Sequence, residues 1–115
     1  MNPNEQIAAV FRAEAAELLD ALGQAVEALP AFEPGARRES LERCMRIAHN
    51  IKGIAAAVGC AEVSRLAHAA ETALGAHQAE SPRELEVDCA AVLEAVTAMQ
   101  LIAQGRSLEA GEVDA

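Results

Sequence analysis

The sequence predicts an all-α protein, folded as an antiparallel up-down four-helix bundle. Almost no stretch alternates apolar and polar residues with period two, so strands are not expected. The 115 residues are 52% apolar but include no Trp or Tyr and only two Phe, so the core must consist of aliphatic side chains on closely packed helices. Short connections between four helix-periodic segments favour antiparallel neighbours, and a chain of this length fits one compact domain.

Proline and glycine residues delimit the first three helices. The first is expected over about 4–29, where it is interrupted by Pro30 and Pro34. The second is expected over about 36–58, with Gly59 as its C-terminal cap, and the third over about 61–76. The apolar stripe of the first helix is expected to comprise Ile7, Val10, Phe11, Leu18, Leu22, Val26 and Leu29.

The fourth helix begins at a recognisable start signal. Ser81 can cap it, Pro82 suits its first turn and Glu84 completes a capping box. It is expected to end at about Gln104, so that a domain over 1–105 precedes a flexible acidic tail over 106–115. The expected apolar stripe comprises Val87, Val92, Leu93, Val96, Met99 and Leu101.

Charge and cysteine usage exclude several classes of protein. A formal charge of −9 argues against a nucleic-acid partner, which requires a basic surface. No apolar run is long enough to span a membrane. Cys44, Cys60 and Cys89 lack metal-type spacing and are expected to be reduced, buried thiols of a cytoplasmic protein. The basic residues nevertheless concentrate in one segment, at Arg37, Arg38, Arg43, Arg46 and Lys52.

The centre of that segment has an unusual composition. His49 is followed by Lys52, the only lysine, and by Gly53, and at helical spacing the three share one face. A glycine within a helix costs about 1 kcal/mol relative to alanine, so Gly53 indicates that another molecule approaches this face closely. An imidazole, a compact cation and a surface without large side chains together suggest a site that carries a phosphoryl group.

A second polar group is expected beside His49. The core stripes of the second and third helices are complete without His49, His68 or Glu71, so these side chains lie away from the core on consecutive helices. A carboxylate that accepts the N–H of one ring nitrogen fixes the tautomer and raises the basicity of the other nitrogen. Glu71 is the candidate for that acceptor, and Lys52 could reach the oxygens of a phosphoryl group on His49.

These residues resemble the histidine phosphotransfer (HPt) domain, and most closely the amino-terminal P1 domain of CheA-type chemotaxis kinases. The resemblance covers roughly residues 7–101 and includes the family's usual opening, at Phe11, Glu14, Glu17 and Leu18. Its two-part motif is formed by the segment Arg46-Ile47-Ala48-His49-Asn50-Ile51-Lys52-Gly53, followed by Ala55, Gly59, Leu66, His68 and Glu71.

The resemblance implies a role for each matching residue. His49 would be phosphorylated, Lys52 would be the cation beside the phosphoryl group, Glu71 would hold the other ring nitrogen, His68 would belong to the same polar cluster, and Gly53 would admit the partner. The exposed surface around them, which would bind the partner, is expected to include Arg46, Met45, Asn50 and Ala56.

The same resemblance implies the partners. An ATP-bound kinase catalytic domain would supply the phosphoryl group, and an aspartate of a CheY-like receiver domain would accept it with Mg²⁺. No cofactor is expected on this chain, which contains no nucleotide-binding segment and so no ATP-dependent kinase activity of its own. We expect a monomeric phosphotransfer domain, and its opening helix and acidic end favour a domain of a larger chemotaxis kinase over a free-standing protein. Two residues depart from the family pattern, Asn50 in place of Ser or Thr, and Ile54 in place of a small residue.

Other classes of function were weighed against this one. A helical adaptor that binds a receiver without phosphotransfer would be expected to lose His49 first. A di-metal bundle would place Glu-x-x-His pairs inside the core, whereas this chain has one His-x-x-Glu in reverse order and outside the core. A hydrolase lacks a paired nucleophile, because Ser64 has no base assigned to it. The sequence neither favours nor excludes phosphatase action toward a receiver.

Overall fold

Four helices make up the protein. The computed structural model describes residues 2–76 and 82–112, of which 82, 83 and 106–112 are described by their backbone alone. Among the described residues there are no strands, and a single 3₁₀ turn, Leu29–Ala31, follows the first helix. The predicted all-α four-helix bundle is confirmed. Its helices are α1 (Pro3–Ala28), α2 (Pro34–Ala57), α3 (Ala61–Gly75) and α4 (Pro82–Glu112).

Each helix packs against its two neighbours around the bundle. α2 contacts α3 and α1, and α4 contacts α1 and α3, whereas no pair of Cα atoms within 8 Å joins α2 to α4 in the described part of the chain. α1 and α3 are likewise diagonal to each other. α2 therefore lies between α1 and α3, and its outer face is flanked by both of them. The largest fully buried side chains are Leu19, Leu22, Leu29, Ile51, Leu74, Leu85 and Met99.

The helix ends follow from local hydrogen bonding. Asn2 and Glu5 form a capping box at the start of α1. α2 begins at Pro34, two residues before the expected start, because proline lacks an N–H and suits the first turn. Two residues after its last residue, Gly59 has φ +76°, and the N–H of Cys60 donates to the carbonyl of Ala55. This pattern confirms Gly59 as the cap. The proposed cap Ser81 lies outside the described residues.

Four apolar residues assigned to the core stripes are exposed instead. Val87 and Leu101 are each 64% exposed, since the buried stripe of α4 follows Leu85, Cys89, Val92, Val96, Met99 and Ala103, about 200° away on the helix. Ile7 and Val10 are 53% and 57% exposed, because the buried stripe of α1 begins only at Phe11.

The end of α4 also differs from expectation. The helix continues through Glu112, well past the expected end at about Gln104. Gly105 weakens a helix but does not stop it, and the residues that follow include the strong helix formers Arg, Leu, Glu and Ala. The flexibility expected of the segment 106–115 remains a prediction.

The three cysteines lie in the core as expected. Cys44, Cys60 and Cys89 are free thiols, each no more than 4% exposed. Burial raises the pKa of the Cys44 thiol to about 11, and the neighbouring Cys89 adds to this shift. Burial likewise raises the pKa of Cys89. Because Cys44 is on α2 and Cys89 on α4, their Cα atoms are more than 8 Å apart, too far for a disulfide.

Candidate functional site

His49 stands on the outer face of α2, opposite the core. Ala48 and Ile51, its neighbours on that helix, are fully buried, whereas the His49 side chain is 62% exposed. Its Nδ1 atom lies 3.2 Å from Oε2 of Glu71 on α3. An ionised carboxylate only accepts hydrogen bonds, so this contact requires that Nδ1 carry the proton. The other ring nitrogen, Nε2, is then unprotonated in the neutral imidazole and available as a nucleophile.

Lys52 and Glu71 form the second contact of the site. The Nζ atom of Lys52, one turn after His49, donates to Oε1 of Glu71 at 3.1 Å. The two oxygens of one carboxylate are therefore divided between an imidazole and an ammonium group. Both charged side chains are partly shielded from water, at 28% and 24% exposure. Ser64 on α3 adds a weaker link, because its hydroxyl donates to the main-chain carbonyl of Lys52 at 3.4 Å.

The electrostatics of this cluster keep Glu71 ionised. Partial burial by itself would raise the pKa of the Glu71 carboxyl, but the hydrogen bond and charge of Lys52, followed by those of His49, outweigh it. The pKa of Glu71 is therefore below its usual range. At neutral pH the carboxylate is the acceptor that holds the His49 ring in place.

Two grooves meet at His49, one toward each end of α2. The α1–α2 groove contains Glu14, Glu17 and Leu18 from α1, together with Gly53 and Ile54. The second, called the arginine groove, is formed mainly by the α2 turns before His49 and is lined by Glu42, Arg43, Met45, Arg46, Ile47 and Glu71. His49 and Asn50 line both grooves, so they form the ridge between them. The imidazole can thus be approached from either side.

The structure brings together some of the residues that the sequence singled out. His49, Lys52 and Glu71 form one hydrogen-bonded cluster. His68 is exposed on α3, and in the described part of the chain no hydrogen bond or ion pair joins it to that cluster. Met45 is half-buried and packs against the core, with its methyl group 3.1 Å from where a Cβ at Gly75 would be.

No large side chain stands on the surface beside His49 at the position of Gly53. No atom lies within 4 Å of the position that a Cβ would occupy on Gly53, and Asn50 and Ala56 are exposed beside it. Ile54 is half-buried against the core, so the departure from the family pattern at that position alters packing. A partner therefore meets no bulky side chain at Gly53.

Glu14 and Glu17 lie at the site although the sequence analysis did not place them there. Their three-residue spacing puts them on one face of α1, and they were noted only as part of the family's opening segment. What the sequence could not supply is the register of α1 against α2, which brings these carboxylates into the groove beside His49.

The described residues contain neither a metal-binding cluster nor a membrane-spanning helix. No group of three or more His, Cys, Asp or Glu side chains there is arranged to hold a metal ion. None of the helices in the same residues combines the length and the apolar character that crossing a membrane requires.

Comparison with known proteins identifies the family. No curated protein and no experimentally determined structure matched the chain. The family model described as the Hpt domain matches residues 6–105, which include α2, α3, most of α1 and α4, and the His49 cluster. Hpt domains act with kinases and response regulators in the phosphorelays of two-component signalling. The chain therefore belongs to the Hpt domain family, the histidine phosphotransfer domains.

Proposed function

We propose that His49 receives a phosphoryl group from an ATP-bound kinase catalytic domain and passes it to an aspartate of a CheY-like receiver domain. The observation that supports this most directly is the contact between His49 Nδ1 and Glu71, at 3.2 Å, on a ring that is 62% exposed. One nitrogen is held by the protein, and the ring that carries the other is largely exposed. An imidazole prepared in this way is a competent phosphoryl acceptor.

The proposed reaction needs no further group from this chain to balance. The lone pair of His49 Nε2 attacks the γ-phosphorus of ATP while the bond to the β-phosphate oxygen breaks and ADP leaves. The ring becomes a phosphorylated imidazolium, and its positive charge is stabilised by Glu71 through the Nδ1–H. In the second step a carboxylate oxygen of the receiver attacks phosphorus, the N–P bond breaks, and its electron pair returns to Nε2.

Lys52 has a role before phosphorylation in addition to the one that the resemblance implies. Its ammonium group is bound to Glu71 rather than pointing freely toward solvent. We infer that Lys52 first orients the carboxylate that holds His49. A phosphoryl group on the ring could then draw part of the same ammonium toward its oxygens, since an ammonium donates up to three hydrogen bonds. His68 would contribute only to the surroundings of the site.

The docking face for the receiver is proposed to be the exposed surface of α1 and α2 around His49. Ile7 and Val10 are exposed there and line an apolar groove with Phe11, Ala57 and Val58. That apolar groove shares Glu14 and Ile54 with the α1–α2 groove beside His49, so the two are continuous. The low surface at Gly53 and Ala56 would let the receiver's aspartate reach Nε2. A chemotaxis pathway is proposed from the sequence resemblance alone.

The decisive experiment uses phosphoramidate, a small phosphoryl donor that requires no cognate kinase. We expect an acid-labile phosphoryl group on His49, located by mass spectrometry, which moves to a CheY-like receiver when Mg²⁺ is present. The variants His49→Gln and His68→Gln form a matched pair, and only the first should abolish labelling. Labelling that persists in His49→Gln would contradict the assignment. Stable receiver binding without any labelling of the wild type would favour the adaptor instead.

A further inference from the structure

The two grooves beside His49 carry different charge. In the α1–α2 groove the only ionisable side chains besides His49 are the carboxylates Glu14 and Glu17. The arginine groove contains the guanidinium groups of Arg43 and Arg46. It also contains Glu42 and Glu71, but the charge of Glu71 is balanced by Lys52. A small anion that approaches the ridge at His49 is therefore repelled from one side and attracted from the other.

The guanidinium groups of that groove are not engaged by other side chains. Within residues 2–76 and 84–105, whose side chains are described, neither Arg43 nor Arg46 forms a hydrogen bond or an ion pair, and both residues are exposed. Arg46 precedes His49 by three residues and Arg43 precedes Arg46 by three, so the three side chains run along one face of α2. They form a short cationic track that ends at the imidazole.

We propose that an anionic phosphoryl donor reaches Nε2 of His49 over the arginine groove, guided by Arg43 and Arg46, while Glu14 and Glu17 exclude anions from the α1–α2 groove. This inference rests on the proposed phosphotransfer function and specifies the side from which the donor arrives. A guanidinium group binds phosphoryl oxygens well, and charges lining a groove raise the local concentration of an oppositely charged reactant. The overall charge of −9 makes such local attraction necessary, because the protein as a whole repels anions.

The test compares an anionic reagent with a neutral one on the same imidazole. Phosphoramidate transfers its phosphoryl group when Nε2 attacks phosphorus, the P–N bond breaks and ammonia leaves with the electron pair. Diethyl pyrocarbonate is uncharged and carbethoxylates the same nitrogen, so its rate reports accessibility and nucleophilicity without electrostatic guidance. Both reactions are followed at His49 by peptide mapping, in 20 mM and in 500 mM salt.

Charge-neutralising variants should shift the two reactions differently. With phosphoramidate in 20 mM salt, the double variant Arg43→Gln/Arg46→Gln should react about five-fold more slowly than the wild type, and Glu14→Gln/Glu17→Gln about three-fold faster. In 500 mM salt the ratio of each variant's rate to the wild-type rate should approach one. The rate with diethyl pyrocarbonate should stay unchanged in both variants.

Arg65→Gln provides the matched control, because Arg65 is an exposed arginine of α3 that lines neither groove. Arg65→Gln is compared with the single variants Arg43→Gln and Arg46→Gln. Equal slowing by all three would overturn the proposal in favour of a net-charge effect. An unchanged phosphoramidate rate in Arg43→Gln/Arg46→Gln would also overturn it. A wild type that reacts with diethyl pyrocarbonate but never with phosphoramidate would instead refute the phosphotransfer function, and this inference with it.

Discussion

At the scale of single residues, Glu71 is the group on which the site depends. Its two oxygens bind His49 and Lys52, which lie one turn apart on α2, while Glu71 itself belongs to α3. A single carboxylate thus fixes the ring tautomer, orients the ring and ties two helices together. Because the cluster is only partly buried, its stabilising effect on the fold is small compared with its effect on the imidazole.

Removing that carboxylate tests whether Glu71 affects the reaction at His49 more than the stability of the fold. Glu71→Ala should slow phosphorylation of His49 by about ten-fold, the size expected for loss of one charge-assisted hydrogen bond. The midpoint of urea unfolding should change little. Glu62→Ala, at an exposed glutamate in the first turn of the same helix, is the control and should leave the rate unchanged. A wild-type rate in Glu71→Ala would show that the carboxylate has no part in the reaction.

The pKa of Glu71 gives a second prediction with a definite sign. In the folded protein it lies below the ordinary value of 4.5, so the linked stability is fully present above pH 4.5 and is lost as the pH falls through the folded-state pKa. Lys52→Met should raise this pKa, and His49→Gln should raise it by less, because Lys52 exerts the larger lowering effect. Carboxyl-detected NMR titration measures both. A pKa that does not move in Lys52→Met would contradict the ion pair.

At the scale of elements, α2 must satisfy opposite requirements on its two faces. One face packs into the core through Cys44, Ala48, Ile51 and Ala55, all fully buried. The other face carries His49 and is interrupted at Gly53, where no neighbouring atom limits the size of the side chain. Packing therefore does not explain Gly53, although a glycine in the middle of a helix is unfavourable.

Substitutions at Gly53 should separate stability from function. Gly53→Ala should stabilise the fold by about 1 kcal/mol in urea denaturation, since helix propensity improves and nothing is displaced. Gly53→Leu should fold normally but slow transfer to the receiver, because its side chain would stand beside His49. Gly23→Ala, whose added methyl would lie 3.7 Å from Val96 between α1 and α4, is a control for propensity alone. Transfer at the wild-type rate in Gly53→Leu would refute the need for clearance.

At the scale of the whole molecule, the diagonal arrangement of helices keeps the three thiols apart and inert. Cys44 and Cys89 belong to diagonal helices whose Cα atoms stay more than 8 Å apart, and Cys60 is the residue before α3, at 1% exposure. High thiol pKa values further reduce the thiolate that reacts with alkylating agents. The core thus treats these residues as small apolar side chains.

Thiol labelling would check this arrangement. Native protein should react with iodoacetamide at pH 8 at least ten times more slowly than free cysteine, and in 8 M urea three groups per chain should react. The rate of Cys44 modification should keep rising with pH up to about 11, where half of its thiol is ionised. Rapid modification of any one thiol in the native state would show that the bundle opens locally around it.

Much of this architecture is readable from local patterns. Helical periodicity, proline positions and Gly59 predict four helices and most of their bounds, because they act within a few residues of where they stand. The His49–Lys52–Gly53 spacing indicates a shared face for the same reason. The exposure of Ile7, Val10, Val87 and Leu101 is not readable in this way, since it depends on how far each helix extends past its partners and how it is rotated.

The sequence by itself determined the fold class, the helical segments and the candidacy of His49, since each is set by the identity and spacing of neighbouring residues. Only the tertiary structure decided which groups surround that histidine. The pairing of α2 with α3 brings Glu71 to both His49 and Lys52 across about twenty residues, and leaves His68 outside the hydrogen-bonded cluster. The register of α1 against α2 likewise brings Glu14 and Glu17 to the site, because contacts between helices depend on packing that no local pattern encodes.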